Sequence, residues 1–310
     1  MSRGLGDVYK RQIDVSKHNG TIDWGRVAAS GIDFVMIRAG YGNRISQKDP
    51  KFEENVRGAL SHRLHVGAYW FSYAVSAADA RTEAEVCKKI LVPYQGKLDF
   101  PIAFDYEYDS IRYANEQGVN PDNTQIDGMS RAFLERMKAD GWYVALYTNN
   151  DFIRSGRFSA DTLKSYDVWL ADYSGEPDYP CAIRQTGSTG RVPGIGGKVD
   201  TNESFRNYPA IIPAGGYNGY PVQVSTIVEI DTTMDISYAH GTYYVVKTTS
   251  PRPVTLTAGT GGVATIVPFP RTGNIQLFAV VAVGQSGQET GIYTSVSGEK
   301  PLRRFKFKIQ

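Results

Sequence analysis

The 310-residue chain has little cysteine: only Cys87 and Cys181 are present. Two cysteines this far apart in sequence do not establish a disulfide, and they form none of the spacings typical of a metal site. The four histidines add no such spacing either, because His62 and His65 have no acidic or thiol neighbour and the others are isolated. We therefore expect two buried free thiols and no bound metal.

The chain also lacks a strong charge of one sign and any long apolar run. A net charge of +2 gives no basic field that would favour nucleic acid. No run of 18 apolar residues occurs, so we expect no insertion into a membrane. Residues 1–12 have no apolar core typical of a signal peptide, and we expect them to be a non-native or disordered leader. No glycine-rich phosphate loop follows the first predicted strand, which argues against nucleotide use.

The most informative segment that is present combines an apolar run with carboxylates. Residues 100–104 predict a buried strand, and Asp105, Glu107 and Asp109 follow at alternating positions. Because residues i and i+2 of a strand share a face, Asp105 and Glu107 should project together. Such a pair costs desolvation and mutual repulsion, which favours a functional role over a stabilising one. A paired Asp and Glu is the usual equipment for cleaving a glycosidic bond.

Two other interpretations of this acidic segment stay open on the residues alone. Acidic residues at strand ends are often solvated loop positions or helix caps. Asp105, Glu107 and Asp109 are also hard oxygen ligands that suit Ca²⁺, although the segment lacks the glycine and the further ligands of a calcium loop.

Strand-like and helix-like segments alternate over residues 13–208. Apolar strands separated by helices predict a parallel sheet with a covered outer face, and about eight strands predict a closed barrel. The last two crossovers are too short for full helices. The fold class is therefore α/β: an irregular (β/α) TIM-like barrel.

The composition changes after this region. Residues 209–220 contain prolines and glycines typical of a linker. Residues 221–310 contain short β-rich segments separated by turn signals at a spacing of about ten residues, which predicts a small all-β sandwich. The basic residues near its end would favour an anionic cell wall, or they would protect an edge strand from pairing.

In a β/α barrel, the working residues lie at the ends of the strands and in the loops that follow them. Four acidic residues should converge on that rim: Asp14, Asp105, Glu107 and Asp200. The other polar or aromatic residues predicted for the rim are Arg38, Ser72, Tyr73, Tyr147, Asn149, Asp172 and Gln185.

Seven motifs in order along residues 13–200 give the chain a recognisable pattern. They are IDVSKHNG (13–20), FVMIRAGYG (34–42), GAYWFSYA (67–74), DYE (105–107), ALYT (145–148), WLA (169–171) and VD (199–200). In these motifs the chain resembles the glycoside hydrolase family 25 lysozymes, the Chalaropsis-type muramidases. The C-terminal region resembles the fibronectin-III-like β-sandwich accessories found in some bacterial and phage members.

The resemblance implies cleavage, with retention, of the β-1,4 bond between N-acetylmuramic acid and N-acetylglucosamine in peptidoglycan, without a cofactor. It implies Glu107 as general acid. Asp105 would attack the anomeric carbon or stabilise the substrate's own acetamido group as the nucleophile, while Asp14 and Asp200 position the sugar and tune Glu107. The residues expected to line the groove are Arg38, Tyr73, Tyr147, Trp169 and Gln185, although Trp169 could equally be core.

The expected setting is extracellular or at a cell wall, with peptidoglycan glycan strands as partner and a monomeric chain. Two other functions remain open: a catalytically inactive barrel that only anchors to wall carbohydrate, and a hydrolase of another amino-sugar polymer such as chitin. For the β-sandwich, the alternatives are a wall-binding module and a spacer or dimerisation domain.

Overall fold

The computed structural model describes residues 10–221, 228–296 and 300–310. The chain divides into two compact units, residues 1–223 and residues 224–310, and each is described by itself. Residues 1–9 of the predicted leader lie outside the described residues.

The first unit is a closed barrel of eight strands that neighbour one another in sequence order. The strands are β1 (Lys10–Val15), β2 (Phe34–Tyr41), β3 (His65–Phe71), β4 (Ile102–Asp105), β5 (Val144–Asn149), β6 (Asp167–Ala171), β7 (Ile183–Gly190) and β8 (Val199–Ser204). Strands β1 to β7 run parallel to one another, whereas β8 is antiparallel to its two neighbours, β7 and β1. The irregular (β/α) TIM-like barrel is thereby confirmed, and the antiparallel last strand is its main irregularity.

Helices cover the outside of the barrel in the connections as far as β6. They are α1 (Trp24–Ala29), α2 (Phe52–Ser61), α3 (Ala77–Leu91), α4 (Tyr108–Glu116), α5 (Asn123–Ala139), α6 (Asn150–Arg154) and α7 (Ala160–Ser165), and α8 (Tyr208–Ala214) follows the last strand. No helix occurs between β6 and β7 or between β7 and β8, where every residue is described. The prediction that these crossovers are too short for helices is confirmed.

Apolar side chains form two layers in this unit because successive residues of a strand point to opposite faces. On β2, Val35 and Ile37 belong to the outer layer that packs under the helices. Phe34 and Met36 belong to an inner layer that fills the barrel. Burial of each large side chain contributes roughly 1.5–3 kcal/mol, so both layers stabilise the frame that holds the rim.

The first strand starts earlier than the sequence predicts. Its residues Lys10 to Gln12 pair with β8, and Gln12 is buried. The predicted boundary at Ile13 is therefore three residues late. The reason is that antiparallel pairing with β8 extends β1 toward its N-terminus, which the apolar pattern alone does not indicate.

The predicted linker at residues 209–220 is wrong for most of its length. Helix α8 lies in this segment, and its Tyr208 and Ile212 are buried in the inner apolar layer of the barrel. Of the residues that suggested a linker, Pro209 lies in the first turn of this short helix, Pro213 lies within it and Gly215 ends it. The segment is therefore part of the first unit.

Asn218 fixes the end of this segment to the barrel. Its side-chain amide donates to the carbonyls of Leu98 and Phe100 at 2.8 and 3.0 Å, and its Oδ1 accepts from the N–H of Tyr143 at 2.8 Å. These partners directly precede β4 and β5. Asn218 therefore closes the end of the barrel at which the parallel strands begin.

The second unit consists of two four-stranded sheets, in the orders β10-β16-β15-β12 and β13-β14-β11-β9. Its strands are β9 (Glu229–Ile230), β10 (Ile236–Tyr238), β11 (Tyr243–Thr249), β12 (Val254–Ala258), β13 (Ala264–Pro268), β14 (Ile275–Ala282), β15 (Glu289–Val296) and β16 (Leu302–Ile309). Alternate residues such as Val246, Phe278 and Phe307 fill one apolar core. The predicted small all-β sandwich is confirmed.

Both cysteines are free, as predicted, but only Cys87 is buried and Cys181 is half-buried. Among the described residues, no helix is both long and apolar enough to cross a membrane.

Candidate active site

A pocket of about 290 Å³ lies at the end of the barrel where the parallel strands finish. Eight of the nine predicted site residues line it: Asp14, Arg38, Asp105, Glu107, Tyr147, Trp169, Gln185 and Asp200. Its wall also contains residues that the sequence analysis did not single out, among them His18, Asn19, Tyr69 and Phe71.

Asp200 reaches this rim for a different reason from the one predicted. It is the second residue of β8 rather than a residue at a strand's end. Because β8 runs antiparallel to β1, the start of β8 lies beside the end of β1, and Asp200 pairs in register with Asp14. The reversal of the last strand therefore places the two carboxylates next to each other.

Asp14 is buried and held by amide groups. Its Oδ2 accepts from Asn202 Nδ2 at 2.9 Å and from Gln185 Nε2 at 3.0 Å, and Asp200 is hydrogen-bonded to the same carboxyl group. Burial and repulsion from Asp200 raise the pKa of Asp14, while the two amide hydrogen bonds oppose that rise. Asp14 and Asp200 are thus adjacent carboxyl groups in register on neighbouring strands, and burial also raises the pKa of Asp200.

Asp105 is the last residue of β4 and only 6% exposed. Its Oδ1 has no hydrogen-bond partner among the described residues. Burial raises the pKa of Asp105 well above its usual range, repulsion from Glu107 and Asp14 adds to the rise, and Arg38 opposes it. A buried acceptor without a partner is costly, and Asp105 lines the pocket.

Glu107 lies at the N-cap of α4 in an extended conformation, so its backbone leaves the strand just before the helix begins. Its N–H donates to Ser110 Oγ at 3.0 Å, which fixes this turn. The side chain is half-buried. Burial raises the pKa of Glu107, repulsion from Asp109 and Asp200 adds to the rise, and a hydrogen bond from Tyr147 opposes it.

Arg38 is oriented by Asp49, a residue that was not among those predicted for the site. The Nε and one terminal nitrogen of Arg38 lie 2.8 Å from Asp49 Oδ2. Asp49 is buried and also accepts the backbone N–H groups of Lys17 and Lys51. Arg38 is thereby fixed as a cation that partly offsets the carboxylates of the pocket.

Trp169 combines both roles considered for it. It is buried in the inner apolar layer and also lines the pocket. Its ring meets those of Tyr69 and Tyr147 edge-on, with centroids 6.1 and 4.9 Å away, and its Nε1 donates to Asn202 Oδ1 at 2.8 Å. Trp169 therefore forms an apolar part of the pocket wall, and its contacts with Tyr69, Tyr147 and Asn202 fix the orientation of its ring.

Tyr73 does not line this pocket, contrary to the prediction. Strand β3 ends at Phe71, and the chain then turns toward α3, where Glu83 Oε1 accepts the N–H of Tyr73 at 2.8 Å. The Tyr73 ring instead contacts Tyr41 and Tyr113 in a neighbouring depression, with centroids 5.9 and 4.9 Å away. The prediction extended β3 to Tyr73, whereas the strand ends two residues earlier, at Phe71.

Two residues of the site, Tyr69 and Asn202, were not predicted, although the two-residue periodicity of a strand could have indicated both. Tyr69 lies two positions before Phe71 on β3, and both line the pocket. Asn202 lies two positions after Asp200 on β8 and hydrogen-bonds Asp14. In each case the i, i+2 rule predicts the shared face once the strand is recognised. Within the described ranges, no three acidic, histidine or cysteine side chains are arranged to hold a metal ion.

The family model described as "Glycosyl hydrolases family 25" matches residues 13–194, which is more than half of the chain. The match covers Asp14, Asp105 and Glu107 and ends before Asp200.

The chain is similar to curated proteins and to solved structures. The autolytic lysozyme of Clostridium acetobutylicum is 27% identical over 194 residues, which cover 62% of this chain and 54% of that protein. Lysozyme M1 of Streptomyces globisporus is 26% identical over 201 residues, which cover 62% of this chain and 66% of that protein. The bacterial lysozyme of Streptomyces coelicolor superposes with a TM-score of 0.55 at 25% identity, over 68% of this chain and 98% of that one. The chain thus spans about half to two thirds of the length of the curated relatives.

Proposed function

The chain belongs to glycosyl hydrolases family 25, and from this premise we propose that it is a lysozyme. The proposed reaction is hydrolysis of the β-1,4 bond between N-acetylmuramic acid and N-acetylglucosamine in peptidoglycan. The observation that carries the proposal is the convergence of Asp14, Asp105, Glu107 and Asp200 on one pocket, each with a raised pKa. The curated relatives are both lysozymes, which supports the same substrate class.

Glu107 is the proposed general acid. Its raised pKa keeps a proton on the carboxyl group nearer to working pH, and its half-buried position leaves the group open to the pocket. It would donate this proton to the glycosidic oxygen as the bond to the anomeric carbon breaks. In the second half of the reaction, the Glu107 carboxylate would take a proton from the attacking water.

Asp105 is proposed to stabilise the positive charge that develops on the sugar ring. Its unpartnered Oδ1 leaves an acceptor free for one of two tasks. It would attack the anomeric carbon, or it would accept the N–H of the substrate's acetamido group while the acetamido oxygen attacks. Both routes pass through two inversions and give retention. The approach of a cationic ring would favour the ionised form of Asp105.

The remaining rim residues are proposed to position the sugar and adjust the charge. The raised pKa values of Asp14 and Asp200 favour one proton on the pair, which would keep their combined charge near −1. Asp200 also raises the pKa of Glu107 by repulsion, which connects the pair to the acid. Tyr147 lies between Glu107 and Gln185: its one hydroxyl hydrogen donates either to Gln185 Oε1, at 3.0 Å, or to the Glu107 carboxylate. Trp169 would pack against the apolar face of a sugar ring.

The direct test is the rate of turbidity loss of purified bacterial cell walls for the wild type and Glu107→Gln, measured at several pH values. Gln keeps the shape but donates no acidic proton, so we expect a rate loss of at least about a hundredfold. Glu116→Gln is the matched control, because Glu116 is an exposed carboxylate at the other end of α4. Comparable rates for wild type and Glu107→Gln would mean that the acid has been misassigned.

Two alternatives from the sequence have separate readouts in the same assay. Wall binding by the wild type without any lysis would favour an inactive anchoring barrel, although an anchor has no evident need for carboxyl groups with raised pKa. Reducing-end analysis of products from peptidoglycan and from chitin distinguishes a muramidase from a hydrolase of another amino-sugar polymer. We further propose that the protein acts outside the cell or at the wall, and as a monomer.

A further inference from the structure

A second pocket lies in the first unit at the end of the barrel opposite the catalytic rim. It is bounded by the first residues of β5 and β6, and its volume is about 370 Å³, larger than the 290 Å³ of the catalytic pocket. The two pockets share no lining residue. Because strands rise about 3.3 Å per residue, their nearest lining residues are roughly 10 Å apart along β5 (Val144 and Tyr147) and roughly 7 Å apart along β6 (Asp167 and Trp169). The proposed chemistry therefore does not account for this pocket.

Tyrosine rings form much of its surface. Tyr143, Tyr166 and Tyr217 line it, and Tyr217 is 36% exposed. The rings of Tyr143 and Tyr217 meet edge-on with centroids 5.2 Å apart, so they hold each other in place. Exposed tyrosine rings with a fixed orientation offer an apolar surface and a polar tip, which suits the apolar face and hydroxyl groups of a sugar.

Among the described residues, Asp167 is the one carboxylate that lines this pocket, and it is already engaged. Asp167 pairs with Arg206 through Oδ1, and its Oδ2 accepts the hydroxyl groups of Tyr143 at 2.8 Å and Tyr208 at 2.9 Å. These contacts use the acceptor capacity of Asp167, which stabilises the pocket wall. Arg206 also lines the pocket, and its contacts with Asp167 and with the Tyr143 hydroxyl group are made through Nη1, one of its three nitrogens.

Two lysines give the pocket its excess positive charge. Lys138 and Lys164 come from the last turns of α5 and α7, and both are exposed. Neither has an acidic partner within the described part of the chain, and the Nζ of Lys138 lies 5.8 Å from the centre of the Tyr166 ring. Lysines at helix ends are favoured by the helix dipole. That explains each lysine singly, but not the convergence of three cations from separate elements on one aromatic pocket.

We propose that this pocket binds a carbohydrate bearing an anionic group, a phosphate or a carboxylate, of the bacterial cell wall. The tyrosines would contact the sugar ring, and the two ammonium groups with Arg206 would bind the anion. A second contact with the same insoluble polymer raises the effective concentration of substrate at the catalytic rim without taking part in the reaction. That the ligand comes from the cell wall rests on the proposed function. That the ligand is an anionic carbohydrate rests on the residues of the pocket.

The test compares binding to purified cell walls of two double variants, each made in a Glu107→Gln background so that the walls stay intact. Lys138→Gln/Lys164→Gln removes the two pocket cations. The matched control Lys89→Gln/Lys97→Gln removes two exposed lysines outside the pocket. We expect the pocket variant to bind about two- to tenfold more weakly than the control, as for loss of two exposed ion pairs. Charge reversal with Lys138→Glu/Lys164→Glu should weaken binding further.

Equal binding by the pocket and control variants would overturn the proposal. A second contradicting result uses Lys138→Gln/Lys164→Gln with Glu107 intact and a short soluble glycan, which occupies only the rim. If turnover of this glycan falls by as much as wall binding does, the proposal is also overturned. Walls chemically stripped of phosphate polymers identify the anion: a difference that disappears indicates phosphate, and one that persists indicates peptidoglycan carboxylates. Failure of the proposed lysozyme function would appear separately, as absent wall lysis by the wild type with the binding difference retained.

Discussion

At the scale of single residues, unfavourable interactions are concentrated at the rim, and the packing of the rest of the barrel offsets their cost. Asp105 has a buried oxygen without a partner, and Asp14 and Asp200 are pressed together by adjacent strands. Amide groups compensate only in part: Asn202 and Gln185 donate to Asp14, and Asn202 also accepts from Trp169. Each of these residues would be poorly suited to stability alone, which is typical of a working site.

Asp105→Asn should therefore stabilise the fold at neutral pH while abolishing activity. Because the folded-state pKa of Asp105 is raised, the folded protein binds more protons than the unfolded chain, and the free energy of unfolding falls as pH rises above about 4. Asn removes this loss. We expect a gain of about 0.5–2 kcal/mol at pH 7 that disappears at pH 3, measured by urea denaturation.

The control for this substitution is Asp109→Asn, at an exposed position in the first turn of α4. It should leave stability within about 0.5 kcal/mol at both pH values. Destabilisation by Asp105→Asn at pH 7 would show that the carboxylate makes favourable contacts instead.

At the scale of elements, strand β8 and the segment after it determine what the sequence could reveal. The apolar strands and helices as far as β6 were predictable, because their hydrophobic patterns are strong and local. The direction of β8 was not, since its polar residues carry no apolar pattern and antiparallel pairing depends on partners distant in sequence. Asp200 was still found, because it is acidic and lies near the end of the family pattern. Tyr73 was misplaced because the exact end of β3 is set by the turn toward Glu83.

The same limit explains the wrong linker. Helix α8 is short and contains Pro209 and Pro213, so its local signals resemble those of a loop. Its burial of Tyr208 and Ile212 in the barrel is a tertiary contact that composition does not report. Asn218, with a positive φ of 54°, belongs to the same segment.

Asn218 allows this segment to be tested with two substitutions. Asn218→Ala removes three hydrogen bonds and leaves their backbone partners buried, so we expect a loss of about 2–4 kcal/mol in the free energy of unfolding. Asn218→Gly loses the same bonds but accepts the left-handed backbone, so it should be about 1 kcal/mol more stable than the alanine variant. Chemical denaturation measures both. Wild-type stability of Asn218→Ala would mean that the segment does not close the barrel.

At the scale of the whole molecule, the chain consists of a barrel that contains the candidate active site and a β-sandwich, for which wall binding and a spacer or dimerisation role are alternative proposals. The division into two units was predictable from the change in composition, because alternating helices and strands give way to short strands alone. The position of the division was less so: the predicted barrel ended at residue 208, whereas the first unit continues to residue 223. The packed segment between these two positions accounts for the difference.

Two truncations separate these positions. A fragment of residues 1–223 keeps α8 and Asn218, so we expect a cooperative thermal transition and turnover of short soluble glycan close to that of the full chain. A fragment of residues 1–208 lacks most of α8 and exposes the end of the barrel at which the parallel strands begin. We expect it to aggregate, or to unfold at a temperature at least several degrees lower. Differential scanning calorimetry distinguishes them, and equal transitions would restore the linker interpretation.

The longer fragment also tests the sandwich. If the sandwich binds the wall, residues 1–223 should bind walls more weakly than the full chain while hydrolysing soluble glycan equally. Unchanged wall binding and lysis would instead favour a spacer or dimerisation role.

The pairing of β1 with β8 has a consequence for when the enzyme exists during its synthesis. The first and last strands of the barrel are neighbours, and Asp14 and Asp200 pair in register across them. A growing chain cannot close this ring until its last strand has left the ribosome, however early the other strands form. The active site is thus assembled by the same event that completes the barrel, and a polypeptide released before that point carries Glu107 but no working pocket.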